Sequence, residues 1–268
     1  MSEELLELIS FLKKRGRTGA CIAFSGGVDS AVVLNAAKLA NVSVNAVTFK
    51  TMLHPEKEIK STIRLAKQLK VPHTILEINE FDNKKIIENT VDRCYHCKYM
   101  MFEQLKKYAR AHKLGRVMDG TNVDDLLEYR PGLKALQQLK ILSPLADLSI
   151  DKDTVRDIAK EMELSVSQKP SAPCLATRIP YDTPIDPDTL TKIAIGEEYL
   201  KSLGFKVVRI RLHGDVGRIE IAKKDFSKFL GQKDKIITNL KKFGFIYITM
   251  DIEGFRSGSM DIVIDQRR

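Results

Sequence analysis

Ala20-Cys21-Ile22-Ala23-Phe24-Ser25-Gly26-Gly27-Val28-Asp29-Ser30 is the stretch on which the fold of this chain turns. Residues 20–24 are a short apolar run that suits a buried strand. Ser25, Gly26 and Gly27 break it, and residues 28–40 carry apolar side chains at helical spacing. The order is strand, tight turn, helix. On the upstream side, Leu5, Leu6, Leu8, Ile9, Phe11 and Leu12 recur as on an amphipathic helix over residues 3–14, which Gly16 and Gly19 stop. Downstream, strands are predicted at 44–49 and 73–78 with a charged helix at 56–69 between them. A helix at 97–112 and a strand at 116–119 follow. Strands that alternate with helices in this way make a parallel sheet with crossover helices. The fold class is therefore α/β, with the polar run Gly120-Thr121-Asn122 at the carboxyl edge of the sheet, where ligands bind in open α/β folds.

A helix at 152–162 closes this module, and the prolines of Lys169-Pro170-Ser171-Ala172-Pro173-Cys174 hold an extended irregular segment. A proline-marked linker runs over 179–187. Beyond it come a helix at 190–203, strands at 206–212 and 218–221, a further helix and a strand at 245–249. The expected division is residues 1–180 as the nucleotide-type module, followed by a smaller α+β module at 181–268 that binds substrate or joins subunits.

Composition narrows the function. The 268 residues are 43% hydrophobic and 29% charged, with 15 glycines and 9 prolines, an ordinary globular balance and not that of a disordered or fibrous chain. No uncharged apolar run is long enough to span a bilayer. The acidic start, Glu3, Glu4 and Glu7, lacks the form of a signal peptide, so a cytoplasmic protein without membrane attachment is expected. The net charge of +9 favours an anionic partner. With no tryptophan and few other aromatics to stack bases, nucleic acid is the less natural choice.

The two glycines after a strand let backbone N–H groups converge on an anion at the positive end of a helix, which favours a nucleotide phosphate over a plain capping turn. No Gly-Lys-Ser/Thr follows, so this is not a Walker-type loop and release of the γ-phosphate is not the expected reaction. Of the four cysteines, Cys21 lies within the first strand and reads as a small buried hydrophobe. Cys94 and Cys97 stand three residues apart at a helix start, where both can face one metal, and Cys174 can join them only through the fold. A three-thiolate iron–sulfur cluster, zinc with an added ligand, and a metal-free persulfide relay all remain open. His96, between the two cysteines, is a poor chelator. Arg209 and Arg211 alternate on one strand, so both guanidinium groups share a face and suit a phosphate clamp, unless that face is merely solvated.

SGGVDS at 25–30 resembles the signature loop of the PP-loop ATP pyrophosphatases, and GTNVDD at 120–125 resembles their second nucleotide-side element. DRCYHCK at 92–98, RPG at 130–132, KPSAPCLATRIPY at 169–181, VRIRLHG at 208–214 and DIEGFRSGSMD at 251–261 narrow the likeness to the LarE family of ATP-dependent sulfur transferases. The resemblance implies cleavage of ATP between the α- and β-phosphates with Mg²⁺, adenylation of a phosphorylated pyridinium dicarboxylate, and replacement of the adenylate by sulfur from sulfide or another donor. It implies nucleotide contacts from Ser25, Gly26, Gly27, Val28, Asp29, Ser30, Gly120, Thr121, Asn122 and Asp124, with Asp29 or Asp124 placing the Mg²⁺. Lys50, Arg130 and Lys169 are candidates to steady the triphosphate. The substrate phosphate falls to Arg209 and Arg211, with Thr177, Arg178 and Glu197 completing that site. In members with a single cysteine, the residue that matches Cys174 gives up its own sulfur. With Cys94 and Cys97 added, this chain resembles the subgroup in which three cysteines hold a [4Fe-4S] cluster. A homo-oligomer is expected. The competing reading is a tRNA-thiolating PP-loop enzyme.

Overall fold

The computed structural model describes residues 1–127, 130–170, 172–256 and 258–262, and divides them into two compact units. The first comprises Met1–Glu80 and Asp92–Ala172, and the second Phe81–Val91 with the chain from Pro173 onward. The division thus falls at 172/173, where the sequence reading draws it at 180/181, and residues 81–91 go with the second unit. No helix among the described residues is long and apolar enough to cross a membrane.

The first unit opens with α1 (Glu3–Arg15), β1 (Ala20–Ala23), α2 (Val28–Leu39), β2 (Val44–Lys50), α3 (Glu56–Leu69) and β3 (His73–Glu77). After the excursion that carries α4 (Lys84–Ile87), it resumes with α5 (Arg93–Ala111), β4 (Arg116–Met118), α6 (Val123–Leu127), α7 (Gly132–Gln138), α8 (Pro144–Asp147) and α9 (Lys152–Glu161). All three strand pairings are parallel and the order is β3-β2-β1-β4, as the alternation of strand and helix predicts. Alternation along β1 sends Ala20 and Ile22 to one face, packed with Leu5, Leu8 and Leu12 of α1 and the apolar sides of α2 and α9. Cys21 turns to the other face, against Phe102 and Leu105 of α5 and Leu136 of α7. Each fully buried leucine contributes roughly 1.5–3 kcal/mol, an upper figure because unfolded chains already bury some apolar area. With α1 so anchored, its acidic first turn, Glu3 and Glu4, and basic last turn, Lys13 to Arg15, complement the helix dipole.

The second unit contains α10 (Pro187–Ser202), β5 (Val208–His213), β6 (Val216–Ile221), α11 (Phe226–Leu230), α12 (Lys233–Lys242) and β7 (Tyr247–Met250). Its sheet is mixed, with β5 antiparallel and β7 parallel to the central β6. Ile193 of α10, Phe205, Ile210, Ile219 and Ile236 are wholly buried within it. Asp186 caps α10 by accepting from the Thr189 amide at 2.8 Å, with Pro187 at the first helical position. Residues 81–91 are stitched on by main-chain bonds, Ile185 N to Ile87 O at 2.8 Å and Asp182 N to Asn89 O at 3.0 Å. The buried Asn89 amide adds a bond to the Pro180 carbonyl at 2.8 Å.

Candidate functional site

β1 delivers Phe24 to the carboxyl edge of the sheet, where its N–H donates to the Val47 carbonyl at 2.8 Å and its own carbonyl accepts from the Thr48 hydroxyl at 2.6 Å. The turn that follows needs glycine at 26: its φ is +68°, and a Cβ there would lie 2.7 Å from Cγ2 of Thr62. Ser25 and Ser30 share a hydroxyl contact at 3.2 Å, and the Ser30 hydroxyl bonds the Gly27 carbonyl at 3.1 Å. These bonds fix the turn around the amino end of α2, whose first amides have no partner within the helix and form an anion site.

The second loop closes on the first. Gly120 approaches α2 so tightly that a Cβ would stand 2.7 Å from the Ser30 nitrogen. Beside it, the buried Asp119 carboxylate accepts from Thr121 Oγ1 at 2.5 Å and from Ser143 Oγ at 2.7 Å. Asn122 caps α6 reciprocally: its N–H donates to Asp125 Oδ2 and its Oδ1 accepts from the Asp125 N–H, both at 3.1 Å. That leaves its Nδ2 to donate to Asp29 Oδ1 at 3.0 Å. Lys152, at the start of α9, takes the other Asp29 oxygen at 2.5 Å. Asp29 is therefore held from two remote segments.

The two aspartates of the second loop separate. Asp124 accepts from the Lys152 N–H at 2.8 Å and so fixes the start of α9. Asp125 lines the cavity over the sheet edge and pairs with Arg130 at 2.7 Å. Burial pushes the Asp125 carboxyl up, and Arg130 opposes the rise.

The cavity is lined by polar residues, among them Ser25, Asp29, Ser30, Gly120 and Asp125, and by apolar side chains of Phe24, Phe49, Ile59, Met101 and Phe102. Such a mixed lining suits an anion joined to a flat apolar ring. Lys98, next after Cys97, also lines it, as do His54 and Glu58. Lys169 reaches the glycine turn, its ammonium 3.1 Å from the Gly26 carbonyl and 2.8 Å from Glu58. Lys50 is spent on an exposed cross-strand pair with Glu77 at 2.7 Å. Lys98, Asp125 and Lys152 lie outside the residues singled out from sequence. Lys98 and Asp125 close the blocks quoted at 92–98 and 120–125, where no role was assigned to them, but nothing local marks Lys152, whose partner Asp29 is 123 residues away.

Cys94 and Cys97 fall within the first turns of α5, in the first unit, and both are partly accessible. Their spacing, one helical turn, puts two thiols on one face, a donor pair that suits soft metals. An Arg93 Nη lies 3.6 Å from the Cys94 sulfur. Cys174 belongs to the second unit, immediately before a 3₁₀ turn at Leu175–Arg178, and is also partly accessible. Among the described residues no three His, Cys, Asp or Glu side chains are gathered as a metal-binding group. Cys21, wholly buried, has its thiol pushed up to about 12 by desolvation.

In the second unit, β5 and the 3₁₀ turn assemble an arginine cluster. Arg178 makes two bonds to Glu197, at 2.8 and 3.0 Å, with both side chains almost wholly buried. Burial would raise the Glu197 carboxyl, but Arg178 and then Arg209 outweigh it and hold it below the usual range. Arg211 pairs with the fully buried Glu220 through Nε at 3.1 Å and Nη2 at 2.9 Å, and also donates to the Thr177 carbonyl at 2.9 Å. Ser259 completes Glu220 at 2.6 Å. Arg209 differs. It lies over the Phe255 ring at 5.4 Å, donates only to its neighbour's carbonyl, and its buried Nε has no partner among the described residues. Burial, with Arg178 adding to it, lowers its pKa to about 10. A third guanidinium thus sits beside two that already have carboxylates, which leaves positive charge for an incoming anion.

Residues 19–93 match the family model described as Queuosine biosynthesis protein QueC. The chain is similar to the pyridinium-3,5-bisthiocarboxylic acid mononucleotide synthase of Lactiplantibacillus plantarum, at 35% identity over 95% of this chain and 92% of that one. A tRNA-specific 2-thiouridylase of Clostridioides difficile is 27% identical over 56% of this chain and 53% of its own length. Among solved structures, the NMN synthetase of Francisella tularensis shares the fold, with a TM-score of 0.53 and 16% identity over 63% of this chain and 74% of that one.

Proposed function

Because the chain belongs to the LarE family of ATP-dependent sulfur transferases, we propose that it adenylates the carboxylate of a pyridinium dicarboxylate mononucleotide and exchanges the adenylate for sulfur. The observation that supports this most is the joint hold on Asp29 by Asn122 and Lys152 beside the open amino end of α2. In this reading the α2 amides receive the β- and γ-phosphates, Asp29 helps place Mg²⁺, and the apolar side chains that line the cavity receive the base. A carboxylate oxygen of the acceptor attacks the α-phosphorus and the bond to the bridging oxygen breaks, releasing pyrophosphate. A sulfur nucleophile then attacks the acyl carbon, and AMP leaves with the former carboxylate oxygen.

Arg209 is the group best suited to the acceptor's phosphate, since Arg178 and Arg211 are committed to Glu197 and Glu220. Arg178, Arg211, Glu197 and Thr177 then act as its frame. Cys94, Cys97 and Cys174 are the residues that would hold a [4Fe-4S] cluster, and such a cluster would supply the sulfur-transfer chemistry. Analysis of the nucleotide products tests the reading: AMP with pyrophosphate supports it and ADP with orthophosphate refutes it.

The partial likeness to a tRNA 2-thiouridylase favours a second reading, in which the activated oxygen belongs to a tRNA base. Stable tRNA binding that weakens steeply with salt would support it.

A further inference from the structure

Arg209 and Glu220 stand directly opposite each other on β5 and β6, yet they do not pair. Glu220 gives one oxygen to Arg211, at 2.9 and 3.1 Å, and the other to Ser259 at 2.6 Å and Arg218 at 3.3 Å. Glu197 is likewise committed, to Arg178 and the Ile210 N–H. Among the described residues Arg209 therefore has no carboxylate; what it has is the ring of Phe255, 5.4 Å from its guanidinium carbon. A turn that continues along β6 past the end of β7 delivers that ring. The Asp251 N–H donates to the Ile219 carbonyl at 2.9 Å, and the Phe255 N–H to the Ile221 carbonyl at 2.8 Å. Between them the Asp251 carboxylate accepts from the Glu253 N–H at 2.9 Å, and Gly254 takes a φ of +74°, where a Cβ would press on the Ile221 carbonyl at 3.0 Å. These contacts fix the backbone that carries Phe255.

A carboxylate that holds an arginine also neutralises it. An aromatic face attracts and orients a guanidinium while leaving its charge in place. Taking as given that Arg209 receives the acceptor's phosphate, we infer that Phe255 is its positioning residue, holding the guanidinium as an oriented cation that no carboxylate has neutralised. Nη1 of Arg209 is committed to the Val208 carbonyl at 2.8 Å, whereas its Nε is buried with no acceptor among the described residues. A buried donor left unpaired is unfavourable, and an arriving phosphate oxygen would satisfy it. A carboxylate in the place of the ring would compete with that phosphate.

Calorimetric titration of the full chain with pyridinium-3,5-dicarboxylate mononucleotide, and with the nucleoside that lacks its phosphate, tests this. Phe255→Leu, which stays apolar but loses the ring face, should weaken mononucleotide binding about fivefold and leave nucleoside binding unchanged. Phe255→Tyr, which keeps the ring, should stay within about twofold of the wild-type chain. In an Arg209→Ala background Phe255→Leu should add no further loss, because the ring then has no cation to hold; a ring that only filled space would add its full effect. If Arg209→Ala weakens mononucleotide binding while Phe255→Leu does not, or if Phe255→Leu weakens both ligands equally, the assignment of Phe255 is wrong and Arg209 stands as the phosphate ligand. If Arg209→Ala leaves mononucleotide binding unchanged, both fail together.

Discussion

The Asn122 side-chain amide donates to Asp29 Oδ1 across 3.0 Å, and this bond joins two loops that are 93 residues apart in sequence. The same amide's Oδ1 accepts from the Asp125 N–H in capping α6, which orients Nδ2 toward Asp29. With Lys152 on the other oxygen, Asp29 stands fixed at the mouth of the glycine turn.

Asp29→Ala is therefore expected to lower pyrophosphate release by about a hundredfold, a loss typical of removing one preorganised electrostatic group. Asn122→Ala, which removes one of the two holds on Asp29 and leaves Lys152 on the other oxygen, should cost about tenfold. A coupled assay of pyrophosphate decides both, and equal rates in Asn122→Ala and wild type would show that the link between the loops is dispensable.

Gly120→Ala tests the closeness of the loops. The added Cβ would stand 2.7 Å from a backbone nitrogen, which cannot swing aside as a flexible side chain would. A stability loss of about 1–3 kcal/mol and at least tenfold weaker ATP binding are expected. Thermal unfolding and ATP titration read the two effects, and unchanged ATP affinity would count against the arrangement.

The two arginines of β5 should behave differently. Arg211→Ala would remove one of the two arginines that hold the buried Glu220, leaving Arg218 at 3.3 Å and the Ser259 hydroxyl, and is expected to destabilise the fold by about 1–3 kcal/mol. Arg209→Ala should leave the melting temperature nearly unchanged and weaken binding of the phosphorylated acceptor by about 1.5–3 kcal/mol. Equal melting temperatures for the two variants would contradict this division of labour.

Much of this arrangement was legible in the sequence. The apolar run 20–24, the glycine turn and the apolar pattern of α2 are local signals, and they fixed the α/β class and the place of the nucleotide loop. Strand and helix limits moved by only a few residues: α5 begins at Arg93 and not at 97, which puts Cys94 and Cys97 inside the helix. The attachment of residues 81–91 to the second unit was not legible, because Asn89 and Ile87 find their partners about ninety residues later. Alternation placed Arg209 and Arg211 on one face. It carried no sign that Glu220 would claim Arg211 and leave Arg209 free.

Stability should fall on mild acidification. Burial lowers the folded-state pKa of His54 and His73. The unfolded chain binds those protons at about pH 6.5, so protons favour unfolding, and the contribution present above that value is lost as pH falls below it. Urea midpoints between about pH 7.5 and 5.5 should decrease, and His73→Gln should show the smaller slope. A steeper slope in the variant would reverse the sign assigned to His73.

For the cysteines, anaerobic reconstitution of the full chain should give about four irons per chain, and Cys94→Ala, Cys97→Ala or Cys174→Ala should each abolish binding. Cys21→Ala, changed within the core, should leave the iron content intact. Iron retained in Cys94→Ala, or dehydroalanine found at Cys174 by intact-mass analysis after reaction, would instead support a single-use cysteine.

The central claim is that ATP cleavage drives exchange of a carboxylate oxygen for sulfur. The most direct measurement combines the full chain with ATP, Mg²⁺, sulfide and pyridinium-3,5-dicarboxylate mononucleotide under anaerobic conditions, and follows nucleotides and acceptor together by mass spectrometry. The predicted result is AMP and pyrophosphate in equal amounts, each matched by one acceptor oxygen replaced by sulfur. ADP and orthophosphate as the main products, or AMP released with the acceptor unchanged, would contradict it.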